Sequence, residues 1–130
     1  MKIFGIGTDI VNIKRINKIL KRKGCTFKNK IFSKKEINYC DKKKTPASFY
    51  AKRFAAKEAF SKALGTGINK DVSLKNIEVF NDLLGKPEIK LKGNLDYILK
   101  KRMKKNKYKI YLSLSDDAPW AQATVIISYK

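Results

Sequence analysis

Asp9, Glu58 and Lys62 are the residues of this chain whose types and surroundings could do chemistry. Asp9 closes an apolar run, Ile3-Phe-Gly-Ile-Gly-Thr-Asp9, and Glu58 stands in the block Arg53-Phe-Ala-Ala-Lys-Glu58-Ala-Phe-Ser-Lys62-Ala-Leu-Gly-Thr-Gly67. A solvent face in so lysine-rich a protein would carry lysine and asparagine, whereas Glu58 is flanked by Phe54, Ala55 and Ala59. That pattern points to a carboxylate in a packed setting. Two hard oxygen ligands leave an octahedral Mg2+ with positions for water and phosphate oxygens, the arrangement in which the metal serves a phosphorylated substrate. Lys62 shares the Glu58 face one helical turn on and could meet those phosphates. The same spacing equally describes an i to i+4 salt bridge worth about 0.2–0.5 kcal/mol, and a strand-end aspartate is commonly a turn or helix cap. Both readings stay open on spacing alone.

Each of these side chains needs an element to hold it. The alanine-rich block reads as a central helix that starts at Thr45-Pro46, where proline's missing donor costs nothing, and ends at the glycines Gly65 and Gly67. At about 100° per residue, Phe49, Ala56, Phe60 and Ala63 fall on one side of it and Phe54, Glu58 and Lys62 roughly opposite. Residues 2–11 read as a strand whose glycines admit a second backbone at close range. Asn12 to Arg22 has helical spacing, with Ile13, Ile16 and Leu20 on one face and Lys14, Arg15, Lys18, Lys21 and Arg22 on the other. Gly24 is expected to stop that helix, and Thr26 to Phe32 to be a short irregular or helical connector. Ser33-Lys-Lys-Glu36 has the capping-box pattern, which assigns Glu36 to structure. Ile77–Asn81 and Glu88–Leu91 form a hairpin through Gly85-Lys86-Pro87, Leu95–Lys105 an amphipathic helix, and Lys107–Ser115 with Trp120–Tyr129 an antiparallel pair. The expected architecture is α+β, one domain over residues 1–130, with a long central helix packed on a mainly antiparallel sheet.

Composition narrows the function classes. There is no histidine, and Cys25 and Cys40 lack metal-ligand spacing, which excludes zinc sites and Ser-His or Cys-His nucleophiles. Acid–base work falls to carboxylate, lysine or water. No Walker loop, dinucleotide fingerprint or metalloprotease pair is present, and no signal-like or membrane-spanning apolar run appears, so a cytoplasmic location is expected. The formal net charge of +20 predicts an acidic or phosphorylated partner. The lysines accompany abundant isoleucine and asparagine, a composition expected of A/T-rich coding drift, so the four arginines are individually more informative. The charge, together with Phe4, Tyr108 and Tyr111 on strands, also permits a small basic nucleic-acid-binding module. A third reading is a non-catalytic partner of an acidic protein. Neither rival explains a glutamate among alanines.

The opening Gly-Ile-Gly-Thr-Asp9-Ile-Val with Arg15-Ile16, the block Arg53 to Gly67, the Gly85-Lys86-Pro87 turn, and Ser113-Leu-Ser115 with Ala121-Gln-Ala-Thr-Val125 resemble the holo-acyl carrier protein synthases, in order and over nearly the whole chain. The resemblance implies transfer of 4′-phosphopantetheine from coenzyme A to a serine of an acidic apo-acyl carrier protein in fatty acid biosynthesis, releasing adenosine 3′,5′-bisphosphate. By match of motif, Asp9 and Glu58 hold Mg2+ against the coenzyme A pyrophosphate. Lys62 contacts that pyrophosphate and the leaving group, and Arg53, helped by Lys44 or Lys52, binds the adenosine 3′-phosphate. The serine proton goes to water at the metal or to a carboxylate. Many members carry histidine where this chain has Asp116, which would instead meet a sugar hydroxyl or order water. The resemblance further implies a homotrimer with sites between subunits, the Gly85-Lys86-Pro87 turn of one chain lying near the coenzyme held mainly by another. It implies carrier docking on the first helix through Lys14, Arg15, Lys18 and Arg22, no membrane attachment and no specific nucleic acid.

Overall fold

The computed structural model describes residues 1–65 and 72–130. In chain order these form β1 (Lys2–Asn12), α1 (Ile13–Ile31), α2 (Lys34–Asp41), α3 (Pro46–Leu64), a single 3-10 turn (Leu74–Asn76), β2 (Ile77–Asn81), β3 (Pro87–Leu91), α4 (Leu95–Met103), β4 (Tyr108–Asp117) and β5 (Trp120–Tyr129). β1, β5 and β4 make one antiparallel sheet with β5 in the middle, while β2 and β3 pair as a separate hairpin. The α+β architecture read from the sequence is the one observed. Thr66 and Gly67, the end of the central block, lie outside the described residues.

α3 lies across the inner face of β1 and β5, and small residues on both sides make that contact possible. The register of β1 shifts between Ile3 and Gly5, after which Gly5, Gly7, Asp9 and Val11 share a face opposite Ile127, Val125, Ala123 and Ala121. Side chains added at Gly5 and Gly7 would collide with the carbonyls of Ala63 and Ala59. Four helical residues rise about 6 Å and two strand residues about 6.7 Å, so the glycine–alanine contacts stay in step along both elements. Continuing the same step carries Asp9 to the next turn of α3, which holds Glu58. Gly7→Ala is expected to destabilise by about 1–3 kcal/mol or more, because backbone rather than a side chain must give way; a lower urea midpoint checks it.

α3 is buried nearly all round. Ala51, Ala55, Ala56, Ala59, Phe60, Ala63 and Leu64 are in the core, and so are the polar Arg53, Lys57 and Ser61. The helix ends at Gly65, whose φ of 89° is the left-handed cap the sequence called for.

α1 departs from expectation. Gly24 does not stop it: the backbone kinks at Lys23 (φ −136°, ψ 41°) and helix resumes to Ile31, ending where the Phe32 N–H donates to the Lys28 carbonyl. The second half is held by packing, since Phe27 meets Phe32 and Phe54 with ring centroids 5.7 and 6.2 Å apart. Tertiary contact outweighs the local cost of a glycine. The helix N-cap is Asn12, whose Oδ1 accepts from the Lys14 N–H at 2.9 Å, so Asp9 is free of the capping role that was its simplest alternative. The capping box at Ser33 and Glu36 forms as expected.

Candidate active site

Asp9 and Glu58 are brought to one place. Asp9 projects from β1 toward α3 with its side chain 17% exposed, and Lys62 closes on it from one turn beyond Glu58, donating to Asp9 Oδ1 at 3.2 Å and to the Thr8 carbonyl at 2.9 Å. The Lys62 partner is therefore the strand, and the simple Glu58–Lys62 helix salt bridge does not form among the described residues. Partial burial pushes the Glu58 carboxyl above its ordinary range, and the Asp9 carboxylate pushes it the same way; Lys62 and Arg15 oppose them. Two coupled carboxylates and one shared lysine leave a local surplus of negative charge in a protein of net charge +20.

That surplus tests the metal assignment on the residues present. No set of three His, Cys, Asp or Glu side chains converges among the described residues, so the protein offers no complete cage. Two hard, like-charged oxygens on rigid elements fit Mg2+, which binds through one or two carboxylates and keeps the rest of its shell for water and phosphate.

The β1 strand beneath the cluster is fixed from its outer side. Thr8 Oγ1 donates to the Ala123 carbonyl at 3.1 Å and Gln122 Nε2 donates to Thr8 Oγ1 at 3.0 Å. The start of α1 is pinned where the Ile13 N–H donates to the Pro119 carbonyl at 2.7 Å. Lys14, Arg15, Lys18 and Arg22 all lie exposed on α1, and Arg15 is near enough to Glu58 to act on its charge. The basic face and the carboxylate cluster are thus neighbours.

The remaining expected site residues gather elsewhere. Arg53 is 2% exposed; its guanidinium lies 4.1 Å from the Tyr39 ring centre and donates to Asn81 Oδ1 at 2.6 Å. Asn81 Nδ2 in turn donates to the Gly85 carbonyl at 3.0 Å, so Arg53 supports the Gly85-Lys86-Pro87 turn from below. The turn is braced further by Asp82, whose Oδ1 accepts from the Leu84 and Lys86 N–H groups at 2.9 Å each. No hydrogen bond or ion pair among the described residues joins this turn to Asp9, Glu58 or Lys62. Lys44 is exposed on the loop between α2 and α3. Asp116 sits at the end of β4 and pairs with Lys52 at 3.1 Å, a partner the sequence did not disclose.

Lys57 was also missed. It is fully buried beside Glu58 and donates to Glu36 Oε1 at 2.8 Å and to the carbonyls of Leu74 and Ile77 at 2.9 and 2.5 Å. Glu36 also accepts the N–H groups of Ser33 and Val79 at 2.9 and 3.0 Å. This pair ties α2, α3 and the entrance to β2 together and so fixes the rotation of the helix that aims Glu58. The signal was available: at about 100° per residue, Lys57 falls between Tyr50, Phe60 and Leu64, an apolar sector where a lysine needs a buried acid.

A cavity of about 320 Å³ lined by Met1, Tyr108, Tyr111 and Tyr129 opens at the opposite end of β1 from Asp9. The carboxylate cluster lies in no deep pocket of the single chain.

Comparison with known proteins follows the same residues. The model of the 4′-phosphopantetheinyl transferase superfamily matches residues 5–123. A holo-[acyl-carrier-protein] synthase of Pelagibacter ubique is 46% identical over 130 residues, covering all of both chains. The crystal structure of such a synthase from Neisseria meningitidis aligns with a TM-score of 0.88 at 40% identity over 98% of this chain and 99% of that one. One from Bacillus anthracis, in complex with CoA (3′,5′-ADP), aligns with a TM-score of 0.78 at 37% identity over 98% and 97%. The chain belongs to the 4′-phosphopantetheinyl transferase superfamily, among its holo-[acyl-carrier-protein] synthases, and is a transferase.

Proposed function

We propose that the chain moves 4′-phosphopantetheine from coenzyme A to a serine hydroxyl of an acidic acyl carrier protein, with Mg2+, in the cytoplasm and in the service of fatty acid biosynthesis. The observation that carries this reading is the Asp9–Glu58–Lys62 cluster, two coupled carboxylates and a strand-anchored ammonium on elements locked by glycine–alanine contact.

Asp9 and Glu58 would hold Mg2+, which when bound neutralises pyrophosphate charge and stabilises the charge developing on the leaving phosphate. The serine oxygen attacks the phosphorus that bears pantetheine, the bond to the adenosine 5′-phosphate breaks, and adenosine 3′,5′-bisphosphate carries the electron pair away. Lys62 is placed to meet that charge: two oxygens of β1 fix its ammonium while more than half of the side chain remains exposed to a ligand. Such preorganised positive charge is worth most where charge appears late in the reaction. Arg53 acts on the nucleotide end by supporting Asn81 and the Gly85-Lys86-Pro87 turn, and Lys44 and Lys52 supply the accessible cations.

The outer face of the three-stranded sheet supports assembly. Ile6 and Ile10 on β1 are 60% and 61% exposed, and Ile6 stands level with Ile126 and Tyr111 across the sheet. Exposed isoleucines on a flat sheet call for a partner surface, and a second and third copy of the chain, each offering the same face, would provide it. The expected sedimentation mass is that of three chains; a monomer active at assay concentration would contradict subunit-shared sites. No helix among the described residues is long and apolar enough to cross a membrane.

The function is checked by chromatographic detection of adenosine 3′,5′-bisphosphate, expected only when coenzyme A, Mg2+ and apo-carrier protein are all supplied. For the docking face, Arg15→Ala should raise the KM for carrier protein about tenfold while leaving that for coenzyme A within about twofold, the loss expected of one interfacial charge contact. An effect on coenzyme A instead would move Arg15 from docking to the Glu58 site, where its charge is already felt.

A further inference from the structure

Three cations lie on two aromatic rings where α2 meets α3. Lys43 Nζ is 4.5 Å from the Tyr39 ring centre and 5.2 Å from that of Phe49, Lys52 Nζ is 4.3 Å from Phe49, and Arg53 lies over Tyr39. The two rings meet edge to face with centroids 6.0 Å apart. The cluster therefore concentrates positive charge on one aromatic support, and ring faces tolerate that charge because their quadrupole attracts cations. Only Lys52 of the three has a carboxylate partner among the described residues, Asp116 Oδ1 at 3.1 Å. Asp116 reaches it from the last residues of β4, opposite Ala121. The carboxylate is the more accessible member, with 40% of its side chain exposed against 17% for the lysine.

We propose that Asp116 is an exchangeable counter-ion for Lys52: an anion arriving at the ring cluster takes the ammonium from Asp116, and the carboxylate takes it back as the anion departs. The inference rests on the transferase reading above, in which that anion is a phosphate of the coenzyme A nucleotide end and departs as adenosine 3′,5′-bisphosphate. Lys52 serves two partners in turn, so its charge is never left alone on the ring. Asp116 neither meets a sugar hydroxyl nor replaces a cationic phosphate ligand; it competes with the phosphate. The consequence is weaker retention of the nucleotide product. Half-exposed ion pairs are weak, so the competition changes binding by roughly two- to fivefold and not by orders of magnitude.

Calorimetric titration of the whole protein with adenosine 3′,5′-bisphosphate tests this through four proteins: wild type, Asp116→Asn, Lys52→Met and the double variant. Asp116→Asn is expected to bind roughly two- to fivefold more tightly than wild type, and the gain is expected to vanish in the Lys52→Met background, the signature of a contact that acts through that lysine. In steady-state assay the same variant should show stronger inhibition by the bisphosphate product. Weaker or unchanged binding by Asp116→Asn, or an equal gain without Lys52, overturns the exchange. If the wild type fails to bind the nucleotide at all, the transferase reading fails and this inference with it; if the wild type binds and Asp116→Asn is unmoved, only the exchange is lost. Both positions are at the surface end of their elements, and unchanged melting temperatures would confirm that the variants are folded.

Discussion

Glu58→Gln is expected to lower turnover by roughly 10²–10³-fold, the scale at which removal of one charge-stabilising group acts, while the melting temperature in metal-free buffer rises. The amide keeps the volume and the half-buried position but takes away a charge that burial and Asp9 both disfavour. A carboxyl whose folded-state pKa lies above its unfolded value loses stability as pH rises between the two, so at neutral pH the wild-type group is a net cost to folding that glutamine removes. The stability gap between variant and wild type should close as pH falls, because wild-type Glu58 takes up its proton above the usual carboxylate range. The Mg2+ concentration for half-maximal wild-type activity should increase over the same interval, since protonation of Glu58 removes a ligand. Undiminished activity of the variant at low Mg2+ would refute the ligand assignment. A lower melting temperature would refute the electrostatic picture of the site.

Lys57→Met should have the largest effect on folding, about 3–5 kcal/mol, because breaking a buried pair leaves an uncompensated charge. Glu36 would remain 1% exposed with its charge unpaired, and the carbonyls of Leu74 and Ile77 would lose their donor. Burial pulls the Lys57 ammonium below its ordinary range and Glu36 holds it up against that pull, so neither partner is stable without the other. Adding Glu36→Gln to Lys57→Met should recover part of the loss by removing the stranded charge. Urea midpoints of the two variants give the comparison; a single-variant loss below about 1 kcal/mol, the size of a surface pair, would mean that the pair is far more hydrated than its geometry indicates.

These two residues also mark how far the sequence could be read. Glu58 stood out because a carboxylate among alanines is locally inconsistent, and Asp9 because an acidic residue ends an apolar strand; the fold brings both together for reasons visible in the chain, namely glycines on β1 opposite alanines on α3. Secondary structure followed from local rules wherever those rules acted alone, as at the Ser33–Glu36 capping box and the Gly65 cap. It failed at Gly24, where the aromatic packing of Phe27 restores a helix that local preference would end. Partners distant in sequence were the least legible. Nothing near Glu36 reveals that it neutralises Lys57, 21 residues on, and nothing near Asp116 reveals Lys52. Arg53 was visible as an informative arginine, but its engagement with Tyr39 and Asn81 required the tertiary structure. Charge count was informative about partners in general and misleading about any one lysine, since Lys57 is buried, Lys62 and Lys52 are paired, and Lys44 is exposed.

The central claim is a transfer reaction, and mass spectrometry of an apo-acyl carrier protein after incubation with this chain, coenzyme A and Mg2+ tests it most directly. The predicted result is a carrier mass increased by one phosphopantetheine group, located on a serine and absent when the metal is chelated or Glu58→Gln is used. A carrier protein of unchanged mass, in the presence of folded enzyme and several acidic carriers, would contradict it.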